Sequence, residues 1–394
     1  MKNISFLVKK NMCVGCGACV VVCKENCIMM KKFGKSNVPV LDDKKCTNCN
    51  LCLKVCPVLS IDEAINENSL LGKIIKIYIG HSKNSEIRHK SSSGGMATSI
   101  ALFLLEKRYV DGVICTTQSE ENFLENKTIL AKSSKEIIQA KGSRYSPASP
   151  CTKLKDVFNE KGKFVFIGKG CDIKGLEKLK KTFPELKEKI FLSVGLFCDH
   201  QPTREATLYL LRKNKISPSG VKKIYYRGEG WPGYLLIILK NGDQKKIPYH
   251  IAWSKFLSKS RFVLPYCRIC LDGFSELSDI SLGDPWALQG SLEGKSESLI
   301  LTRSKIGEKI IREMASNNFI EIKEVGEDVL INSQKSITSK KKKVFDSLKL
   351  VRKIGKFIPF YKKEDLEKNW KLINFVNNLM GFKVLIKKIL KKKL

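Results

Sequence analysis

The sequence predicts three parts in series: a small cysteine-rich α+β domain, an α/β body and a basic helical C-terminal tail. Three observations predict them: two dense cysteine runs within the first 56 residues, strand–turn–helix–strand patterns from residue 73 onward, and a lysine excess over residues 335–394. With 394 residues, 43% of them hydrophobic, the chain is long enough for two or three domains with real cores. The opening MKNISFLVKKNMC holds an apolar run too short for a signal peptide, and no later stretch approaches the roughly 18 apolar residues of a spanning helix. A cytoplasmic protein is expected. Fifteen cysteines in that reducing compartment point away from disulfides and toward metal or redox chemistry.

The first domain, expected over residues 1–68, rests on cysteine spacing. Cys13, Cys16, Cys19 and Cys23 follow CxxCxxCxxxC, and Cys46, Cys49, Cys52 and Cys56, followed by Pro57, repeat it. Two such runs are the signature of a ferredoxin-like two-cluster domain, in which three cysteines of a run wrap one 4Fe–4S cube and the fourth crosses to the other. Cys13, Cys16, Cys19 and Cys56 are therefore expected to hold one cluster, and Cys46, Cys49, Cys52 and Cys23 the second. Soft thiolate sulfur suits iron in both oxidation states, and Gly15 and Gly17 suit the tight turns that aim backbone N–H groups at a cluster. Zinc knuckles also use CxxC, but zinc has no use for a third cysteine at the same spacing followed by a fourth. Lys24 follows Cys23 where a proline is usual, and Cys27 reads as a buried filler.

The body is expected in two segments, 73–160 and 161–325. KIIKIYIG reads as a strand, and SSSGGMATSIALFLLEKRYVDGVICT as a glycine turn, an apolar helix and a second strand, together a β-turn-α-β unit. Ser91, Ser92 and Ser93 with Gly94 and Gly95 place hydroxyls and open backbone N–H groups at a helix N-terminus. There the macrodipole favours an anion such as a pyrophosphate, a simple helix cap being the plainer alternative. GKFVFIGKGCDIKGLEKLKK followed by IFLSVGLFC repeats the strand–helix–strand pattern and puts Cys171 and Cys198 just past the ends of two strands expected to be parallel neighbours. Open α/β sheets bind ligands at such ends. YRGEGWPG is a glycine-rich turn, LLIILKNGDQKKIPY a hairpin closed by Asn241 and Gly242, and YCRIC supplies Cys267 and Cys270. Cys171, Cys198, Cys267 and Cys270 make four thiolates, the number another cube requires; inert core cysteines are the alternative for the first two.

Taken in order, the paired cysteine runs, SSSGGMATSIALFLLEKRYVDGVI, GSRYSP, FIGKGCDIKGLEKL, VGLFCDH, YRGEGWPG and CRICLDGFSELSDISLGD resemble the coenzyme F420 hydrogenase/dehydrogenase beta subunits, a family of flavin and iron–sulfur proteins. The resemblance implies FAD, an iron–sulfur cluster beside it, and hydride exchange with a small diffusible carrier. It implies that the Ser91, Ser92, Ser93, Gly94, Gly95 turn and the Gly142, Ser143, Arg144, Tyr145 segment line the flavin, and that Cys171, Cys198, Cys267 and Cys270 hold a third 4Fe–4S cluster. One loop departs from the family pattern: Gly168-Lys169-Gly170-Cys171-Asp172 stands where Gly-x-Pro-Cys-Gln is expected.

A flavin takes two electrons as a hydride and releases them singly, whereas a cluster carries one at a time. The expected function is thus an oxidoreductase passing electrons between a hydride carrier, coenzyme F420 or similar, and a one-electron redox partner protein. No catalytic residue is assigned. His81, Arg88, His89, Lys90, Arg144 and His200 flank the motifs as candidates for tuning the flavin, ordinary surface charge being the alternative. Two other functions compete: a non-catalytic ferredoxin-type electron carrier whose body has lost its flavin, and a membrane-recruited interaction protein linked to surface polysaccharide synthesis.

The formal net charge is +33, and residues 335–394 hold 19 Lys and Arg against four Asp and Glu. SQKSITSKKKK reads as a linker. Beyond it, WKLINFVNNLMGFKVLIKKILKKKL places Leu372, Val376, Leu379, Ile386 and Leu390 near one helical face, with Lys383, Lys387 and Lys391 at i,i+4 spacing. Such a helix suits an anionic membrane surface and predicts a peripheral position at the inner face of the membrane; an acidic protein partner fits as well. Nucleic acid is not expected, because no recognised module or aromatic platform accompanies the charge.

Overall fold

The computed structural model describes residues 3–34, 36–59, 70–291 and 295–353. The expected first-domain boundary near Asn68 and the amphipathic helix over 370–394 lie outside the described residues. Thirteen strands are described, beginning with the antiparallel hairpin β1 (Ile28–Phe33) and β2 (Ser36–Leu41). The body contributes β3 (Lys76–Ser82), β4 (Gly112–Gln118), β5 (Asn126–Ala131), β6 (Phe164–Lys169) and β7 (Ile190–Leu196). It continues with β8 (Val221–Tyr225), β9 (Tyr234–Leu239), β10 (Gln244–Pro248), β11 (Ile280–Gly283), β12 (Ser298–Thr302) and β13 (Ile320–Glu324).

Eight of these form one mixed sheet in the order β13-β3-β12-β11-β7-β6-β4-β5. The central strands β4, β6, β7 and β11 run parallel, with antiparallel partners on both sides. Both faces are covered, which explains why β6 and β12 read as apolar runs rather than alternating ones. The apolar helix Met96–Glu106 packs Ile100, Phe103 and Leu104 into the cluster that holds Val113, Val165 and Ile300. β6 and β7 are parallel neighbours, as the sequence implies. The strand, turn, helix and strand of the β-turn-α-β reading form in that order, but β3 and β4 are not neighbours: β12, β11, β7 and β6 lie between them. Local pattern determines that each strand forms, while strands from later in the chain take the places between them. Outside this sheet, β8, β9 and β10 make a three-stranded antiparallel sheet whose β9–β10 turn uses Gly242 at positive φ.

The N-terminal segment is fused to the body through a shared core. Val22, Val55 and Val58 cluster with Leu154, Ile173, Leu176 and Tyr266. Arg204 donates to the Ser36 carbonyl at 3.2 Å and to the Asn37 side chain. A Cβ at Gly17 would lie 2.5 Å from Thr152, so a glycine is needed where this segment meets the body.

The segment read as a linker is instead the start of a helix, Lys335–Lys353. Ile337, Thr338, Lys341 and Val344 are all buried, a spacing of one helical face. Composition hides this face because one of its four members is a lysine. Among the described residues no helix is long and apolar enough to cross a membrane.

Candidate redox centres and their cavity

Cys13, Cys16, Cys19 and Cys56 line one small enclosed cavity together with Ile4, Met30 and Val58. Gly15 and Gly17, at φ +75° and +90°, wind the loop, and the Gly15 N–H points at the Cys13 sulfur at 3.4 Å. Burial and the neighbouring Cys16 push the Cys13 thiol up to about 12, and burial among the same sulfurs raises Cys19 and Cys56 as well. The raised Cys13, Cys19 and Cys56 thiols resist ionising together unless a cation sits among them, so the donor set fits a cationic iron–sulfur core. Among the described residues no three His, Cys, Asp or Glu side chains converge as a single metal ion would require.

In the second set Cys52 neighbours Cys49 and Cys46, and Cys27 neighbours Cys23 and Cys46, with Cys49 exposed. Burial raises Cys52, and the neighbouring Cys49 and Cys46 add to it. Cys27 is buried, as expected of a filler, but its sulfur lies 3.3 Å from that of Cys23. It is therefore a fifth thiol at this site.

The third set is assembled from three separate segments. Cys171 lies in the first turn of the helix Gly170–Thr182, directly after β6, and Cys198 lies two residues beyond β7. The Cys198 N–H donates to the Gly273 carbonyl at 2.9 Å, which ties it to the loop carrying Cys267 and Cys270. Burial and Cys267 push the Cys198 thiol up to about 12, opposed by Lys169 and Lys340. The departure from the family loop pattern has a visible role. Lys169 Nζ lies 2.7 Å from Asp172 Oδ2, and the Lys169 N–H donates to the same oxygen at 3.0 Å.

These sets are arranged in series. Cys198 also lines the main cavity. Cys151, a buried cysteine given no role by the sequence, donates its N–H to the Cys16 carbonyl at 2.9 Å and its thiol to the Asp172 carbonyl at 3.4 Å. It thus connects the first set to the third. Cys19 and Cys52 sense each other's charge across the first and second sets, and Cys49 reaches the surface.

The main cavity, about 680 Å³, opens at the ends of the parallel strands, a size and position suited to a cofactor or small ligand. Ser91, Ser92, Ser93, Gly95, Gly142, Ser143, Arg144 and Tyr145 all line it. Gly94 does not. It turns onto β3, where a Cβ would lie 2.5 Å from the Gly80 carbonyl. Arg144 and His200 line the cavity, whereas His81 and Arg88 are engaged by Glu297, both at 2.9 Å. Lys90 pairs with Glu86 at 2.9 Å, and His89 faces Glu229 at 3.6 Å.

Four residues around the cavity each keep one buried polar atom with no hydrogen-bond partner among the described residues: Ser91 Oγ, Arg144 Nε, Asp172 Oδ1 and His200 Nε2. Orphan polar atoms on residues around one space suit a polar ligand that supplies their partners. One wall of the cavity is one that motif reading missed. Arg227 binds Asp284 through two contacts of 2.8 Å, Trp231 Nε1 donates to the same carboxylate at 2.9 Å, and the guanidinium stacks on Tyr249 and Trp286. The signal was present: the one arginine of YRGEGWPG and the last aspartate of CRICLDGFSELSDISLGD, each next to a glycine.

Comparison with known proteins gives three matching families. Residues 77–155 match the N-terminal model of the coenzyme F420 hydrogenase/dehydrogenase beta subunit, and residues 161–328 its C-terminal model, together more than half of the chain. Residues 7–66 match a 4Fe-4S dicluster domain. The coenzyme F420 hydrogenase subunit beta of Methanosarcina barkeri is 26% identical over 315 residues, covering 78% of this chain and 94% of that protein. A component of the F(420)H(2) dehydrogenase of Methanosarcina mazei is 24% identical over 319 residues, covering 78% and 83%. Among solved structures, a chain of the F420-reducing [NiFe] hydrogenase complex from Methanosarcina barkeri shares the fold with a TM-score of 0.58 at 23% identity, covering 74% of this chain and 96% of that one.

Proposed function

Because the chain belongs to the family of coenzyme F420 hydrogenase/dehydrogenase beta subunits, we propose that it passes electrons between a two-electron hydride carrier, coenzyme F420 or a similar cofactor, and a one-electron partner protein. The observation that carries this reading is the series of thiol sets running from the cavity to exposed Cys49. In it, each N-terminal set holds one 4Fe–4S cluster, and Cys171, Cys198, Cys267 and Cys270 hold a third. FAD is the cavity's cofactor, and when bound it would supply the exchange between hydride and single electrons.

The chain's own residues prepare the site for that chemistry. Ser91 Oγ, Arg144 Nε and His200 Nε2 offer hydrogen bonds to the cofactor's polar groups. The Tyr145 and Tyr249 hydroxyls, 3.1 Å apart, and the rings of Trp253 and Trp286 make an aromatic wall that excludes water and gives a planar ring system a surface to stack on. Arg227, already held by Asp284, presents a fixed positive charge beneath that wall.

Anaerobically purified protein tests the reading through its content of iron, acid-labile sulfide and released flavin. About twelve irons with one FAD per chain are expected, followed by bleaching of the flavin on addition of reduced coenzyme F420. About eight irons and no flavin would refute the catalytic role and leave an electron carrier.

A further inference from the structure

We propose that Lys340 is an electrostatic positioning residue for the third centre, raising the potential at which the Cys171, Cys198, Cys267 and Cys270 site takes up an electron. The proposal rests on the reading that these four cysteines hold a cluster. Lys340 comes from the helix Lys335–Lys353, which begins after the last residue of the matched family region.

Three contacts hold that helix against the site. Ile337 covers Gly273, where a Cβ would come within 2.4 Å of it. Lys341 forms a buried ion pair with Glu276. Gln334, the residue just before the helix, donates through Nε2 to the Asp284 carbonyl at 2.7 Å, joining the helix start to the Arg227 wall. So anchored, Lys340 Nζ donates to the Asp199 carbonyl and lies 3.2 Å from Asp199 Oδ1. Asp199 directly follows Cys198, and the ammonium is near enough to Cys270, Cys198 and Cys267 to feel their charge.

The arrangement repeats on the other side of the site. Cys171 is followed by Asp172, which holds Lys169 at 2.7 Å, just as Cys198 is followed by Asp199, which holds Lys340. Two ligand segments thus each bring a carboxylate–lysine pair to the same buried sulfurs. In a poorly solvated site a nearby cation favours the form with one more electron, while a nearby carboxylate disfavours it. The step concerned is a one-electron reduction in which no bond forms or breaks, and the electron comes from the hydride carrier of the proposed function.

The test is a redox titration followed by electron paramagnetic resonance on anaerobic full-length protein, with iron counted in every sample. Lys340→Met is expected to move one of three titrating components to lower potential and leave the other two in place. Lys340→Arg stays near the wild type. Asp199→Asn moves the same component upward, and Lys340→Met/Asp199→Asn returns it toward the wild-type value. Full iron with no shift in either single variant overturns the proposal and leaves the third cluster standing. If Lys340→Met loses iron, Asp199→Asn decides alone: a rise supports the proposal and an unchanged potential overturns it. Wild-type protein with only about eight irons removes the third centre, and the proposal with it.

Discussion

Removing the Asp284 carboxylate should loosen the cavity wall far more than removing the whole Arg227–Asp284 pair. Arg227 is buried, and burial works against its charge while Asp284 more than offsets that cost. The carboxylate also accepts from Trp231, so Asp284→Ala strands two guanidinium contacts and one indole N–H at once. Leaving one partner of a buried pair uncompensated costs about 3–5 kcal/mol. Opening the Gly228–Gly233 loop would let water reach the guanidinium, so the cost appears as easier local opening. At about 1.4 kcal/mol per factor of ten, exchange of the loop amides should quicken by roughly two to three and a half orders of magnitude. The probes are the Gly230 N–H, bonded to the His89 carbonyl at 3.0 Å, and the Tyr234 N–H, bonded to the Gly228 carbonyl at 2.9 Å. Hydrogen exchange on anaerobic holoprotein reads both directly and needs no reversible unfolding. Arg227→Met/Asp284→Ala removes the stranded charge and should exchange more slowly than Asp284→Ala. A rise below tenfold in the single variant, or a double variant that is faster still, would refute the reasoning.

Other substitutions probe separate parts of the molecule. Gly94→Ala drives a methyl group to 2.5 Å from the Gly80 carbonyl and 2.9 Å from the Ser298 nitrogen; a loss of about 1–3 kcal/mol should lower the thermal midpoint and weaken flavin retention. Cys27→Ala should leave the iron count unchanged although Cys27 touches Cys23, whereas Cys46→Ala should remove about four irons per chain; equal losses would make Cys27 a ligand. Burial pushes the Glu276 carboxyl up to about 7 from an ordinary 4.5, with Lys341 opposing. An acid raised on folding binds its proton more tightly in the folded state, so its contribution is full below pH 4.5 and is lost as pH rises toward 7. Glu276→Gln should flatten the fall in thermal midpoint across that window, and an unchanged slope would contradict the assignment.

The parts of the site legible in the sequence are those whose chemistry lies within one short segment. CxxCxxCxxxC needs only the local winding that Gly15 and Gly17 permit, so spacing alone assigned the first set, including the crossing Cys56 that shares its cavity. Ser91, Ser92, Ser93 and Gly95 reach the cavity from a turn that its own residues mark as a helix start, whereas Gly142–Tyr145, which also line it, were indicated only by the family resemblance. The missed wall depends on encounters that no window contains. Arg227 and Asp284 are 57 residues apart, and Tyr145 and Tyr249 are 104 apart. The order of the eight-stranded sheet was hidden in the same way, because insertion of β6, β7, β11 and β12 between β3 and β4 is set by packing across the whole body.

Charge shows the same limit most sharply. Read as composition, SQKSITSKKKK is solvated and unstructured, and the net charge of +33 points outward to a membrane or an acidic partner. Within that run Lys341 is buried against Glu276 and Lys340 is turned onto Asp199, 141 residues away, while Lys342 and Lys343 stay exposed. Lysines adjacent in sequence thus divide between inward ion pairing and solvent because a helix advances its side chains by about 100° per residue. A composition count assigns them one role. The helix assigns them two, and the inward pair ties residues beyond the matched family region to Asp199, next to Cys198, and to Glu276.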